Sequence, residues 1–377
     1  MELYIFDKQR EPIGVIDTFE SLIWKRSYQN IGSFELHIFL PQEDEDAFNL
    51  IELLKKDHYI MKGNDSEELG IIKIVELSDE DGEKIMVRGF LLDSIMARRI
   101  ILGRIAFNGT AETMMKHVVY KNFIDTTPNR VYPNLVLSPS RGITTPASDI
   151  NSYGVVASWL TEQSKLYEVG WRVLFDIETK DFVFDVYQGI DSSGSQTVNP
   201  QIIFSMDYEN VLNQTFIQDV SDVKTTAIVA GSDEGVDRII EMVGDNFVGE
   251  DRYELFVDAK DLQPEDDEGE PIPEATYREQ LSVRGELKLA EYKPIATFES
   301  GISVLSNYVY REDYDLGYKV TIENRRWGVV LDTRITEISE IYEKNIVDEN
   351  EIIVMDIEVV FGENVPTIID KVRRVMR

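Results

Sequence analysis

The stretch IVMDIEVVF, residues 353–361, decides the fold class, because apolar side chains recur at every second position. Asp356 and Glu358 occupy two of the alternate positions. Successive side chains of a β-strand point to opposite faces, so this spacing predicts a strand with one buried face. The surrounding residues 292–362 share this pattern and are predicted to be all-β.

The start of the chain has the same period of two. In FELHIFL, residues 34–40, apolar side chains alternate with mostly polar ones. Two apolar runs, residues 69–77 and 84–90, flank an Asp-Gly pair, which is typical of a hairpin turn. A run of acids precedes residues 47–54 and predicts a short helix there, because acidic side chains favour the helix N-terminus.

The middle of the chain is predicted to form an α+β insertion. Its predicted elements are a helix capped by Thr110, an irregular loop with four prolines, a helix ended by Gly170, and a hairpin: residues 111–121, 125–150, 155–167 and 171–186.

Strand patterns resume after residue 201 and are interrupted by one acidic, proline-rich segment. The predicted strands are residues 212–220, 226–230, 238–243 and 253–257. Residues 264–274 contain three prolines and six acids, so they are predicted to be an exposed loop, followed by a helix over 275–291.

Together these patterns predict an α+β fold that is mainly β. It comprises two small β-barrel-like domains, an inserted α+β domain and further helical and loop elements. The first barrel is predicted over residues 1–108, completed by strands within 205–260, and the insertion over residues 109–200. An acidic loop and helix region follows over residues 256–291, then the second barrel over 292–362 and a C-terminal helix over 363–377.

The composition restricts the chemistry. Lys and Arg number 38 and Asp and Glu number 70, so the formal net charge is −32, and the chain has no cysteine and three histidines. Disulfides, thiolate metal sites and cysteine nucleophiles are therefore excluded. A sequence-independent grip on nucleic acid needs a basic surface, which this balance of charges opposes.

Few residues suggest catalysis. His37, His58 and His117 lie outside any metal-ligand motif, and a structural or exposed role explains each of them more readily. Asp207 and Glu209 could act as the carboxylate pair of a glycosidase. With 70 acidic residues in the chain, however, such close pairs arise by chance throughout.

Two charged segments could suggest ligand binding. The acidic turn at residues 79–82 fails the calcium-loop pattern, because Leu77 takes the first ligand position and Arg88 the twelfth. The basic residues between Lys371 and Arg377 suit the negative end of the predicted C-terminal helix better than a membrane or nucleic-acid contact. We therefore predict no catalytic, cofactor-binding or metal-binding residue and no enzymatic activity.

The hydropathy pattern predicts no transmembrane helix, because no stretch approaches about 20 consecutive apolar residues. The sequence begins with a strand pattern and lacks the basic flank and apolar centre of a signal peptide. Folding in a cytosol-like compartment is therefore expected.

Four groups of segments, in this order and spacing, resemble one protein family. The first group is a strand with a helical turn that ends in arginines, residues 86–100. The second is a set of turns and strands, residues 187–191, 202–205 and 208–211, and the third is a strand-to-turn segment, residues 251–262. The fourth comprises three late β segments, residues 314–320, 333–338 and 359–362. The four groups together are similar to the tail-tip hub proteins, also called tail-associated or baseplate hub proteins, of long-tailed bacteriophages and prophages. The resemblance spans nearly the whole chain.

The chain departs from the family pattern at two turns. Tyr318 follows Gly317 where the family often has Asp, and Ser192 follows Asp191 where it often has Arg. The chain ends at Arg377, so it resembles the hub core without the C-terminal enzymatic or receptor-binding extension of many relatives.

The resemblance implies a homotrimer in which two β-barrels per subunit form a pseudo-hexameric ring. This ring would dock on the hexameric distal tail or tube protein ring and adapt its six-fold symmetry to a three-fold tip. The implied location is the virion tail tip, after assembly in the bacterial host cytoplasm, with the tape-measure protein and receptor-binding proteins as further partners. DNA would pass through the closed or openable conduit without specific binding, and no cofactor is implied.

The role of the acidity and the choice among functions stay open at this point. Two roles are open: acidic side chains in the lumen would repel DNA phosphates, or the acidity would only maintain solubility. The alternative functions are a tail-associated cell-wall or glycan hydrolase that uses acidic residues, and a carbohydrate-binding β protein.

Overall fold

The computed structural model describes residues 1–79, 82–232, 235, 238–265, 270–303, 306–347 and 350–362. Its first part contains seven strands and one helix: β1 Leu3–Phe6, β2 Pro12–Ile16, β3 Ser21–Ser27, β4 Ser33–Phe39, α1 Asp44–Leu53, β5 Tyr59–Lys62, β6 Leu69–Ser78 and β7 Lys84–Leu91. The predicted strand at 34–40, the hairpin strands and the short helix are confirmed. Phe34, Leu36 and Ile38 point into the core, as the alternation predicts.

The insertion follows a 3₁₀ helix at Leu92–Arg98. Its elements are β8 Arg104–Thr110, α2 Ala111–Val119, β9 Leu135–Leu137, β10 Pro146–Ser152, α3 Val156–Tyr167, β11 Gly170–Asp176 and β12 Asp181–Tyr187. The Thr110 cap is confirmed: its hydroxyl accepts from the Thr113 N–H at 3.3 Å, and the Thr113 hydroxyl accepts from the Thr110 N–H at 3.0 Å. This reciprocal pair satisfies two backbone donors that would otherwise lack partners.

The remaining elements complete the sequence of strands and helices. They are β13 Ile203–Ser205, β14 Val211–Asp219, β15 Thr226–Ala230, β16 Ile240–Gly244, β17 Glu254–Asp258, α4 Glu274–Ala290, β18 Ile295–Ile302, β19 Lys319–Asn324, β20 Val329–Val347 and β21 Asn350–Gly362. The strand around 353–361 and the helix over 275–291 are therefore confirmed, the latter with its start at Glu274.

One large sheet runs through both ends of the chain. Its strand order is β14-β18-β21-β20-β3-β4-β7-β6-β5-β1-β2, and β13 and β19 extend it from β20. The pairing of β20 with β3 is antiparallel, with Ile341 opposite Ile23 and Glu340 opposite Trp24. This contact joins the two predicted β modules, so their strands form a single continuous sheet.

The strands within 205–260 pair elsewhere than predicted. β14 pairs with β18, at the far end of the sheet from β1 and β2. β15, β16 and β17 form a sheet of their own, and α4 packs against it. Among the described residues, none of these strands pairs directly with a strand of residues 1–108. The domain boundaries themselves stay a prediction.

Two local predictions in the insertion need correction. The segment 125–150 is not wholly irregular, because it contains β9 and the start of β10, which pairs with β8. Pro146 begins β10, a position where the missing N–H of proline is tolerated. Glu168, with φ of 53°, takes the left-handed position after α3, whereas Gly170 already belongs to β11.

The mainly β, α+β class is confirmed, and the large sheet is antiparallel along its main path. The pairing among the described residues is an open path that ends at β14 and β2, and it shows no closed barrel. The predicted C-terminal helix at 363–377 lies outside the described residues. No helix in the described part of the chain has the length and hydropathy of a membrane span.

Four apolar clusters form the core. One fills the insertion and its contact with the first β module, and one fills the first β module itself. A third lies in the second β module, and a small fourth lies between α4 and the sheet of β15, β16 and β17. The two β modules therefore have separate main cores, whereas the insertion shares its core with residues of the first β module.

Candidate functional site

Charged side chains from distant parts of the sequence meet where β3 and β20 pair. We call them the junction cluster: Arg26, Lys62, Asp65, Glu68, Arg311, Asp315 and Glu340. The first four come from the first β module, and the last three come from the second. Three are cationic and four are carboxylates, and their contacts run across the module boundary.

Lys62 and Glu340 form the most deeply buried ion pair of the junction cluster. The side chain of Lys62 is fully buried and that of Glu340 is 1% exposed. The Lys62 ammonium also lies 5.0 Å from the centroid of the Trp24 ring, a cation–π distance. Both charges therefore exchange water for direct partners.

The carboxylate of Glu340 accepts from several further donors. The hydroxyls of Tyr310 and Tyr342 donate to it at 2.9 and 2.8 Å, and Arg311 Nη2 donates at 2.9 Å. Burial acts to raise the pKa of Glu340, but Lys62 and Arg311 outweigh it and hold the pKa below its usual range. Glu340 is thus a buried, ionised carboxylate whose two oxygens accept hydrogen bonds from Lys62, Tyr310, Arg311 and Tyr342.

Arg26 connects the two modules in a similar way. Its Nε donates to Glu68 at 2.5 Å, and its Nη1 donates to Asp315 at 2.6 Å. Glu68 also accepts from the Trp24 indole N–H at 2.9 Å. Burial opposes ionisation of Glu68, yet the nearby cations, Arg26 foremost, lower its pKa to about 2. Charge-assisted bonds of this kind are the strongest hydrogen bonds in proteins.

Arg311 bridges the cluster to the loop before β6. Its Nη1 donates to Asp65 at 2.5 Å. Its φ is 69°, in the left-handed region that non-glycine residues rarely adopt. A strained residue of this kind persists only where the surroundings hold it in place. The cluster therefore holds the two β modules in a fixed relative position. It contains no exposed nucleophile and no unpaired acid.

Tyr28 forms a second junction, where both β modules meet the insertion. Its backbone N–H donates to Thr336 at 2.9 Å, and its carbonyl accepts from the Trp171 N–H at 3.2 Å. The fully buried ring packs against Gly170 and Gly317, at positions where a Cβ would overlap it. Its hydroxyl donates to the Glu168 carbonyl at 3.3 Å.

A buried acid also connects the first module to the insertion. Asp93, in the 3₁₀ helix after β7, accepts from the Val173 N–H of β11 at 2.7 Å. Burial raises the pKa of Asp93 to about 7. Its ionisation therefore falls in the physiological pH range.

The three histidines lie in separate elements and have local partners. His37 lies 2.7 Å from Glu35 on the same strand, and His58 Nδ1 lies 2.8 Å from the Leu53 carbonyl. The ring of His117 packs against Phe107. In the described part of the chain, no group of three or more His, Cys, Asp or Glu side chains could hold a metal ion.

Asp207 and Glu209 lie on an exposed turn rather than in a cleft. Asp207 belongs to a short 3₁₀ helix at Met206–Tyr208 and lies 3.4 Å from Arg325. Glu209 follows in the left-handed conformation with φ of 57°. A glycosidase needs one carboxyl whose surroundings keep it protonated. An exposed turn does not provide such an environment.

One cavity adjoins the junction cluster. Its volume is about 390 Å³, and Tyr4, Asn64, Tyr342 and Met355 are among its lining residues. Tyr342 accepts a hydrogen bond from Asn64 at 3.3 Å and donates to Glu340. Asn64 and Tyr342 therefore already serve the junction, whereas the Tyr4 hydroxyl donates to Glu2 at 2.6 Å.

Sequence reasoning missed the junction cluster because its bonded partners lie up to 289 positions apart. Two local signals were present. Arg26 follows Leu22 and Trp24 on the buried face of β3, and Glu340 lies between Ile338 and Tyr342 on the buried face of β20. A charged residue on an apolar strand face indicates a buried partner, but the pattern cannot name that partner.

The fold is similar to those of three solved tail proteins, each 12% identical to this chain. The 43 kDa tail protein of prophage MuSo2 from Shewanella oneidensis has a TM-score of 0.58, and the match covers 96% of this chain and 98% of that one. The tail protein from Neisseria meningitidis has a TM-score of 0.55, with 96% of each chain covered.

The third similar structure is prophage tail protein gp18 from Listeria monocytogenes. Its TM-score is 0.53, with 100% of this chain and 98% of that chain covered. At this level of identity the likeness shows a shared fold. No curated protein matches the chain. Residues 2–354 match the family described as Siphovirus ReqiPepy6 Gp37-like protein, and the chain therefore belongs to that family.

Proposed function

We propose that this protein is a structural subunit of the phage tail tip, a hub that assembles as a homotrimeric ring. The observation that carries the proposal is the joining of two β modules into one sheet by the β3–β20 contact and the junction cluster. A ring that converts six-fold to three-fold symmetry needs two similar surfaces per subunit at a fixed separation. Three subunits with two rigidly joined modules present six such surfaces.

Open strand edges also favour assembly. The large sheet ends at β2 and β14, and residues 74–77 of β6 pair only with β7 among the described strands. Ile74 and Leu77, on this open part of β6, are 50% and 54% exposed. Exposed apolar edges invite uncontrolled pairing unless another chain covers them. Neighbouring subunits would cover these edges and complete barrel-like modules.

The acidity suits a conduit for DNA. With a formal net charge of −32 per chain, a lumen lined by carboxylates repels phosphates and lets DNA pass without adhering. In this role the ring docks on the hexameric distal tail or tube ring, and the tape-measure and receptor-binding proteins are further neighbours. Catalysis is not part of the role, and the buried acids described above are committed to structural contacts.

Sedimentation velocity of the purified protein over about 1–100 µM tests the proposed assembly. We expect trimers, or a monomer–trimer equilibrium, of the 43.3 kDa chain. A monomer or a dimer throughout this range would contradict the proposal.

Incubation with purified bacterial cell wall should release no soluble glycan, whereas release that depends on Asp207 or Glu209 would favour a hydrolase.

A further inference from the structure

The sheet of β15, β16 and β17 has two faces of different character. On one face, Val229 and Val243 pack against α4 at Gly285, where a Cβ would meet both valine side chains. Leu255 and Val257 of β17 belong to the same small core. Because side chains alternate along a strand, the residues between these ones point away from α4.

The face away from α4 carries an apolar row across all three strands. Met242 lies opposite Ile228, and Ile228 lies opposite Phe256, in register. Met242 is 63% exposed and Phe256 is 62% exposed. We call this row, together with the exposed Ile240 beside it, the apolar face. A solvated sheet face normally carries polar side chains, so exposed Met and Phe in register indicate a binding surface.

Two arginines flank the apolar face, and each is already paired. The Arg238 guanidinium lies 5.9 Å from the centroid of the Phe256 ring and forms an ion pair with Asp258. Arg252 Nη2 lies 3.9 Å from the sulfur of Met242, and Arg252 Nε lies 2.7 Å from Glu254. Met, aromatic residues and Arg are the residue types enriched at the centres of protein–protein interfaces.

The border of the apolar face is acidic, and this selects the kind of partner. Residues 238–258 contain six acidic and two basic residues, and three of the acids, Glu241, Glu254 and Asp258, already pair with arginines. Asp245, Glu250 and Asp251 are exposed in the connection between β16 and β17. Like charges across an interface cost free energy, so this border disfavours nucleic acid, anionic lipid and the same acidic border on a second copy of the chain.

We infer that the apolar face is a docking site for a different protein, whose contact surface has an apolar centre bordered by lysine and arginine. Met242 and Phe256 insert into that centre, and the carboxylates around them pair with the basic border. The site lies outside the large sheet and its junctions, so the inference does not depend on trimer formation.

Site-specific photocrosslinking tests the inference. Phe256 is replaced by p-benzoylphenylalanine in the full chain, the chain is produced in the bacterium that assembles the complete phage, and crosslinked peptides are identified by mass spectrometry. Val330, also 62% exposed but in β20, receives the same probe as the matched control. We expect a crosslink from position 256 to a peptide of another protein in which Lys and Arg outnumber Asp and Glu. The additional substitution Met242→Asp should reduce its yield at least about tenfold.

Three outcomes would overturn the inference. They are a crosslink from position 256 to this chain itself, a crosslink to lipid or nucleic acid, and a yield no greater than that from position 330. Sedimentation of Phe256→Asp provides a separate check on the fold and on self-association. We expect this variant to keep the oligomeric state of the parent protein, and a loss of self-association would assign the apolar face to contacts between copies.

Discussion

The buried pair of Lys62 and Glu340 is the clearest example of a residue-level contact with consequences for the whole chain. Both side chains are buried, so each charge depends on the other and on the hydrogen-bonding partners nearby. We expect Lys62→Met to lower the free energy of unfolding by about 3 kcal/mol, because Glu340 loses its closest cation inside the protein. Urea denaturation monitored by tryptophan fluorescence and circular dichroism measures this change.

Lys55 provides the matched control for that substitution. It forms an ion pair with Glu52 on α1, but both side chains are about half exposed. Lys55→Met should change the free energy of unfolding by less than about 0.5 kcal/mol, because exposed pairs contribute little. Equal effects of the two substitutions would show that the buried pair of the junction cluster stabilises the fold no more than an exposed pair does.

Asp93 makes stability depend on pH. Its pKa is raised from 3.8 to about 7, so between these values the folded chain holds a proton that the unfolded chain has released. Stability from this group is therefore lost as pH rises toward 7. Asp93→Asn stays neutral, and its carbonyl can still accept from Val173. We expect the stability of the variant relative to the parent to rise by about 2 kcal/mol between about pH 5.5 and pH 8.

The measurement for Asp93 is a series of urea titrations of both proteins over that pH range. Taking the difference between variant and parent removes the pH dependence that the other acids contribute to both. A difference that stays constant with pH would show that Asp93 is ionised throughout in the folded state.

Alanine substitutions at Gly317 and Gly328 distinguish the cost of backbone strain from the cost of steric overlap. Both have positive φ, 87° and 68°. A Cβ at Gly317 would overlap the Tyr28 ring, whereas a Cβ at Gly328 would meet nothing within 4 Å. We expect Gly328→Ala to cost about 1 kcal/mol and Gly317→Ala at least about 3 kcal/mol, measured by thermal or urea unfolding. Similar costs at both positions would contradict the tight packing at Tyr28.

At the scale of elements, strand and helix positions followed from the sequence wherever one local pattern determined them. The alternation at 34–40 and 353–361 and the cap at Thr110 depend only on near neighbours, and the structure confirms them. Strand partners could not be predicted, because β3 and β20 meet only after more than 300 residues of chain. The buried partners of Arg26 and Glu340 follow only from this pairing, because it brings the two β modules together.

The β3–β20 pairing makes a direct prediction. Ile23 and Ile341 are opposite each other, and the chain has no native cysteine. We expect Ile23→Cys with Ile341→Cys to form an intramolecular disulfide on mild oxidation, because directly opposed residues bring their Cβ atoms within bonding range. Non-reducing electrophoresis and mass spectrometry detect it.

Ile23→Cys with Ser339→Cys is the control, because Ser339 lies opposite Lys25, two positions away. The control pair should stay reduced under the same conditions. Equal oxidation of both pairs, or of neither, would indicate a different register between the two modules.

At the scale of the whole molecule, the fold combines rigid junctions with open edges. The junction cluster and Tyr28 fix the modules relative to one another, whereas β2, β6 and β14 leave edges for other chains. The composition alone indicated only which chemistries were excluded. Assembly and symmetry depend on surfaces between chains, which single-chain sequence patterns do not specify.

Cryo-electron microscopy of intact tails tests the central proposal most directly. We expect three copies of this chain in a closed ring at the tip, with the two β modules of each copy giving six similar contacts to the ring above. Carboxylate side chains should line the lumen. Density for the chain away from the tip, or a ring with six copies, would contradict the proposed hub.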